Sequence, residues 1–158
     1  MQHMSSRAIQ DELPDQPCWG CGPSSPSGLR IKSYWSGHGA VCTWQPAPQH
    51  VGWPGVLNGG ILAALVDCHC VGTALADAYR AERRTLDSEP PVWFATGSLS
   101  ISYLQPVAVN SSVELKASIT ERTSRKTRVE CVVVSRGQVC ARAEVVAVRL
   151  SDRLGGVR

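Results

Sequence analysis

A chain of 158 residues, 43% of them hydrophobic, suits one domain with one core. A net charge of +3 is too small to imply a nucleic-acid surface by itself, and no apolar run near about 20 residues is free of charged and polar breaks, so neither nucleic acid nor membrane is an expected partner. The N-terminus lacks the basic-then-apolar pattern of a secretory signal; the cytoplasm is the expected compartment, and the seven cysteines are free thiols by default.

Residues 1–17 are polar, carry two prolines and are expected to be a loosely ordered N-terminal segment. Residues 18–28, CWGCGPSSPSG, are dense in Gly, Pro and Ser and read as a compact loop. Within it, Cys18 and Cys21 form a lone CxxC. Zinc would need two more ligands, and Cys68, His69 and Cys70, although close in sequence, would point in different directions from a helix, so no metal site is expected. Residues 28–35 alternate, with Leu29, Ile31 and Ser33 on one face, as a first strand; residues 39–45 are a second, with a hairpin turn at 36–39.

Residues 46–57 hold three prolines and two glycines and must be a loop. It delivers the chain to GVLNGGILAALVDCHCVGTALADAY, residues 55–79, which reads as one long helix opened by a polar-glycine turn and continuing to about Arg80. Asn58 is a reasonable N-cap. Small and apolar residues line nearly all sides, so the helix is expected to be buried. Its one mid-helix charge is Asp67. Burying an unpaired ionised carboxylate costs several kcal/mol, so Asp67 must be paired, protonated or open to a cavity.

Residues 80–92 are charged, end in Pro90-Pro91 and are expected to form an exposed, mobile connection. Residues 93–104 are a long strand; constant alternation puts Phe94, Thr96, Ser98, Ser100 and Ser102 on one face and Ala95, Gly97, Leu99, Ile101 and Tyr103 on the other. Strands follow at 112–121, 126–135 and 138–150, joined by turns at 123–125 and 136–137, and residues 151–158 read as a frayed tail. Two strands, one helix and four strands argue for an α+β domain over residues 18–150, with an antiparallel sheet of five to six strands wrapping one central helix. A second copy is the natural cover for the sheet's other face. Nine of the sixteen Lys and Arg residues lie after residue 121, and Arg122, Arg125, Lys126 and Arg128 form either an anion site or a solvated turn.

The order and the words on it resemble the hotdog-fold thioesterases of the phenylacetate-degradation, PaaI-like group. The resemblance rests on Cys18-Trp-Gly-Cys-Gly-Pro with Gly28-Leu-Arg-Ile, on Trp53-Pro-Gly-Val-Leu-Asn-Gly-Gly-Ile-Leu-Ala-Ala-Leu-Val-Asp67, on Ser102-Tyr-Leu-Gln-Pro106, and on the basic segment followed by Gly137-Gln-Val-Cys-Ala-Arg-Ala-Glu144. It implies an acyl-CoA thioesterase with no cofactor beyond the coenzyme A of its substrate, working as a homodimer or a dimer of dimers. In the family the Gly59 N–H polarises the thioester carbonyl, Asp67 activates water or attacks directly to give an anhydride, and Thr96 orients the water. The helix start of one subunit, Asn58 and Gly59, then faces Asp67 and Thr96 of the other. Asn58 stands where the family usually has His; its amide can donate a hydrogen bond but cannot carry a proton in and out.

The residues themselves agree with that chemistry. A helix N-terminus suits developing negative charge, and Gly59 and Gly60 let a substrate approach the backbone closely. Arg122, Arg125 and Lys126, with Arg128, Arg80, Arg83 and Arg84, are candidates for the phosphates of coenzyme A. His50, in the loop before Asn58, is either a further substrate contact or an exposed loop side chain. Two other functions stay open: a module that binds acyl-CoA without turning it over, because of Asn58, and an enoyl-CoA hydratase, which usually pairs Asp with His. His69 is about 200° around the helix from Asp67 and should not share its pocket.

Overall fold

A computed structural model describes residues 4–151. The rest of the expected tail, 152–158, and residues 1–3 of the N-terminal segment lie outside the described residues. The elements run α1 (Ile9–Glu12), β1 (Tyr34–Ser36), β2 (Gly39–Trp44), a 3-10 turn (Pro48–His50), α2 (Gly59–Ala81), β3 (Trp93–Tyr103), β4 (Val113–Arg122), β5 (Lys126–Ser135) and β6 (Gln138–Leu150). All six strands join one antiparallel sheet in the order β1-β2-β4-β5-β6-β3, wrapped around α2. This is the hotdog arrangement.

α2 begins where Asn58 caps it, the side-chain oxygen accepting from the N–H groups of Gly60 and Ile61. It contains no proline and buries Leu62, Leu65, Val66, Cys70 and Ala74, a stripe at helical spacing, against the inward residues of the sheet: Val113, Leu115, Val129, Cys131, Val133 and Val145. Leu65 is fully buried, and its truncation to Ala should cost about 2–5 kcal/mol. By length and composition alone α2 would pass as a membrane span, which the polar breaks in the sequence were expected to exclude; its apolar stripe is instead occupied by the sheet.

Four expectations need correction. The first strand does not span 28–35: only Tyr34–Ser36 pair with β2. Leu29, Ile31 and Ser33 are buried as the alternation requires, but the N–H groups of Leu29 and Ile31 bond to the carbonyls of Trp19 and Gly20 in the preceding loop. Second, residues 8–12 are not loose. Ala8, Ile9 and Gln10 are buried, and α1 lies over α2 at Gly72, where an added Cβ would come 3.3 Å from Gln10 Nε2. Gln10 exchanges two hydrogen bonds with Ser33, whose hydroxyl meets His69 Nδ1 at 2.8 Å, while His69 Nε2 faces the Ala40 carbonyl at 3.2 Å.

Third, the connection after α2 is tied down. Arg84 pairs with Glu82, bonds the carbonyls of Ser88 and Pro90, and stacks on Tyr79, whose hydroxyl accepts from the Val92 N–H. Fourth, β3 does not alternate throughout. Its register against β6 shifts between Thr96 and Ser98, so Gly97 sits in a bulge where a Cβ would meet Val148 at 2.7 Å. One extra residue swaps the faces. Thr96, Leu99, Ile101 and Tyr103 therefore all lie opposite Ala147, Val145, Ala143 and Ala141 and face α2. The β5–β6 turn is as expected: Arg136 and Gly137 both have positive φ, 51° and 72°, the pair a two-residue hairpin of this type demands.

Candidate active site

Asp67 and Thr96 come together. The Thr96 hydroxyl donates to Asp67 Oδ1 at 2.7 Å, and among the described residues Oδ2 accepts no hydrogen bond. Thr96 lies ahead of the bulge, on the same face as Phe94, and so points toward α2 where the edge strand passes the middle of the helix. Both residues line a cavity of about 240 Å³ with Leu13, Val71, Leu75, Trp93 and Phe94 as apolar walls. A half-buried carboxylate with one oxygen fixed and one open, beside apolar surface, can take a proton from a water held against it.

The start of α2 forms a second cluster. Asn58 uses its side-chain oxygen for the cap, at 2.8 Å to Gly60 N and 3.2 Å to Ile61 N, which leaves its NH2 pointing outward as a donor. Gly60 contributes its N–H to that cap. Among the described residues the Gly59 N–H has no acceptor, and Gly59 is exposed. Its carbonyl accepts from the Tyr103 hydroxyl at 2.7 Å, and the Tyr103 ring lies over the glycine, 3.5 Å from where a Cβ would sit. Tyr103 was missed in the sequence because constant alternation sent it to the wrong face; the signal that could have found it is Gly97, a glycine inside a strand.

His50 has another task. Its Nδ1 accepts from the Ala47 N–H at 2.9 Å, its ring packs on Trp44, and its carbonyl accepts from the Asn58 N–H at 2.9 Å. It sets the position of Asn58 through the backbone rather than through its ring. His69 is fully buried, and burial holds its imidazole down to about 4, so it is neutral and excluded from the cavity, as its helical direction requires. The basic segment lies near the far end of α2: Arg122 pairs with Asp77 at 2.9 Å, and Arg128 bridges Glu121 and Glu144. Arg125 and Lys126 project from the exposed β4–β5 turn. Phe94 stands between the Asp67 cavity and the groove beside Arg122 and Arg149.

A third cluster was not anticipated. The sulfurs of Cys18, Cys21 and Cys68 lie within 4.8 Å of one another on the wall of the Asp67 cavity. The hydrogen bond from Cys68 lowers the Cys21 thiol to about 7, against the opposing effect of burial, while Cys68 is raised by the same bond and by burial.

The family model of the thioesterase superfamily matches residues 54–142. The chain belongs to this superfamily. No curated protein matches it. Among solved structures it is similar to a thioesterase superfamily protein of Shewanella loihica, with 36% identity over 76% of this chain and 90% of the other and a TM-score of 0.61. It is also similar to a single-residue variant of the phenylacetic acid degradation protein PaaI of Thermus thermophilus, with 25% identity over 77% of this chain and 95% of the other at a TM-score of 0.60. A Streptococcus mutans protein bound to acetyl-CoA shares the fold, with 14% identity over 73% of this chain and 84% of the other and a TM-score of 0.60. The hotdog fold and the PaaI-like character inferred from the sequence both stand.

Proposed function

We propose that the protein is a cytoplasmic acyl-CoA thioesterase whose active site is shared between two copies of the chain. The observation that carries this reading is the Thr96–Asp67 hydrogen bond on the wall of a largely apolar cavity. Within one protomer Gly59 and Asp67 are eight helical residues apart, or about 12 Å along the axis, too far to act on one carbonyl. The exposed helix start of one copy, placed over the cavity of another, supplies the missing half. β3 supports such an assembly: it is a long edge strand with Leu99 and Tyr103 exposed, and an unpaired edge of this kind is a template for a second copy.

In this reading the thioester carbonyl oxygen sits against the Gly59 N–H and the Asn58 NH2. Thr96 holds a water beside Asp67; Asp67 takes its proton as the water oxygen attacks the carbonyl carbon. The tetrahedral oxyanion is stabilised at the helix N-terminus. Collapse breaks the C–S bond, and the leaving thiolate takes up a proton to give free coenzyme A and the acid. Direct attack by Asp67 with an anhydride intermediate uses the same groups. The cavity accepts an aryl or medium aliphatic acyl group, and the phosphates of coenzyme A lie toward Arg122, Arg125 and Lys126. Binding without turnover is the second reading, favoured by Asn58, whose oxygen is fully engaged in the cap.

Thiol release from a panel of acyl-CoAs, with wild type and Asp67→Asn, tests the proposal. Loss of a general base predicts a drop of about 10²-fold or more. Equal rates in the two proteins, with acyl-CoA binding retained, would leave binding alone.

A further inference from the structure

We propose that Cys18, Cys21 and Cys68 form a thiolate site for one zinc ion on the wall of the Asp67 cavity. The three residues come from places fifty positions apart, two from the loop before β1 and one from the middle of α2. A tetrahedral zinc with bonds of about 2.3 Å to sulfur holds its sulfurs about 3.8 Å apart. The Cys18 and Cys68 sulfurs are 3.8 Å apart, and all three lie within 4.8 Å of one another. Half an ångström of adjustment per side chain closes the set. A disulfide would need about 2.05 Å, would use only two of the sulfurs, and would strand the third.

The loop is shaped for this approach. The Gly22 N–H bonds to the Cys18 carbonyl at 2.7 Å, closing a tight turn that brings Cys18 and Cys21 together on one side. A Cβ on Gly22 would strike the Gln16 carbonyl at 2.2 Å. A Cβ on Gly20, between the two cysteines, would fall 2.3 Å from the Cys68 sulfur. The loop is thus laid on α2 backbone-first, with nothing between its own sulfurs and that of the helix. His69 is no competitor, with both ring nitrogens committed to Ser33 and Ala40. Cys70 points into the core.

Three sulfurs and no hard oxygen donor among them select a borderline-soft ion; zinc fits, magnesium and calcium do not. On binding, three thiol protons pass to solvent and three Zn–S bonds form, leaving the fourth position open to the cavity for water. Three thiolates outweigh the charge of the ion, so the group suits fastening better than polarising a carbonyl. The ion ties the loop to α2 one residue from Asp67 and fixes the cavity wall there.

The test uses the full chain, chelator-stripped and reduced under anaerobic conditions. Cobalt(II) added to wild type should give tetrahedral d–d bands with sulfur-to-metal charge transfer, saturating at one equivalent and displaced by zinc, and bound zinc should protect three thiols from a thiol reagent. These readings need no variant to fold. Cys18→Ser, Cys21→Ser and Cys68→Ser should each weaken zinc binding by about 10-fold to 100-fold or more, on the scale of lost metal-site support, while Cys140→Ser keeps it. Thiols that stay fully reactive at excess zinc would overturn the site. So would a cobalt spectrum unchanged in Cys68→Ser, or a protein that takes up no metal when reduced yet loses two hydrogens on mild oxidation. None of these outcomes depends on thioesterase activity.

Discussion

The start and the middle of α2 are built on opposite plans, although one helix carries both. At the start, Asn58, Gly59 and Gly60 are exposed and, among the described residues, the Gly59 N–H is unmatched. In the middle, Asp67 is half-buried and bonded to Thr96, its neighbour Cys68 faces two loop cysteines, and His69 and Cys70 are sealed in the core. Among the described residues the Asp67 carboxylate has its partner within one protomer, and the Gly59 N–H has none. A helix end presents donors whose natural complement is negative charge from outside, whereas a mid-helix carboxylate needs its partner built in. On the proposed reading neither cluster is an active site alone, and two copies make two.

The sharpest way to break this comparison is to remove the unmatched donor without unfolding the helix. Gly59 is the first helical residue, and Asn58 before it has an extended ψ of 129°, so Gly59→Pro removes the N–H at a position where proline is tolerated. We expect thioester hydrolysis to fall by about 10²–10³-fold, the effect of losing an oxyanion donor, with the thermal midpoint little changed. Mixing refolded Gly59→Pro chains with Asp67→Asn chains should restore about a quarter of wild-type activity, since half the dimers are then mixed and each holds one intact site. Two inactive proteins that stay inactive when mixed would place all the chemistry within one chain.

Thr96→Ala comes next. It leaves Asp67 in place and removes the group that fixes one of its oxygens and the water, so a fall of about 10-fold is expected, at the low end for an orienting contact. Thr96→Ser should recover most of it. Steady-state rates for the two variants separate a hydroxyl effect from a packing effect.

The buried part of the middle responds to pH rather than to substrate. His69 is held near 4 by burial, against about 6.5 in an unfolded chain. Between those values the unfolded state binds more protons, so stability is full above about 6.5 and is lost as pH falls toward 4, by on the order of 3 kcal/mol. Urea midpoints across that window should show the fall. His69→Gln, which keeps hydrogen-bonding groups but cannot titrate, should flatten it.

Much of this was legible in the chain. The long helix, the Asn58 cap and five of the six strands follow from spacing, because local geometry decides them; β1 is shorter than its alternation because Leu29 and Ile31 bond to the preceding loop. Thr96 beside Asp67 was legible only through the resemblance; alternation gave its face correctly up to the bulge and failed beyond it, since a single inserted residue at Gly97 reverses every side chain that follows. Arg122 reads as part of an anion site or a solvated turn, and its ion pair is hidden because the partner, Asp77, is 45 positions away on another element. The three cysteines and the Gln10–Ser33–His69 chain have the same origin: each joins the N-terminal segment to α2, and no periodicity in either segment records the other.

Tyr103 gives the finest cut at the start of α2. Its hydroxyl donates to the Gly59 carbonyl, on the peptide next to the one whose N–H is unmatched among the described residues, so it steadies Gly59 without touching Asp67. Tyr103→Phe keeps the ring over the glycine and removes only the hydrogen bond, worth about 0.5–1.5 kcal/mol and less where water can replace it. At 52% exposure water can do so, and we expect a rate loss of only two- to three-fold, on the scale of half a kcal/mol, with the pH dependence of kcat unchanged. A loss as large as that of Gly59→Pro would mean that the hydroxyl itself meets the substrate, and that the start of the helix contributes a side-chain donor where the geometry assigns a backbone one.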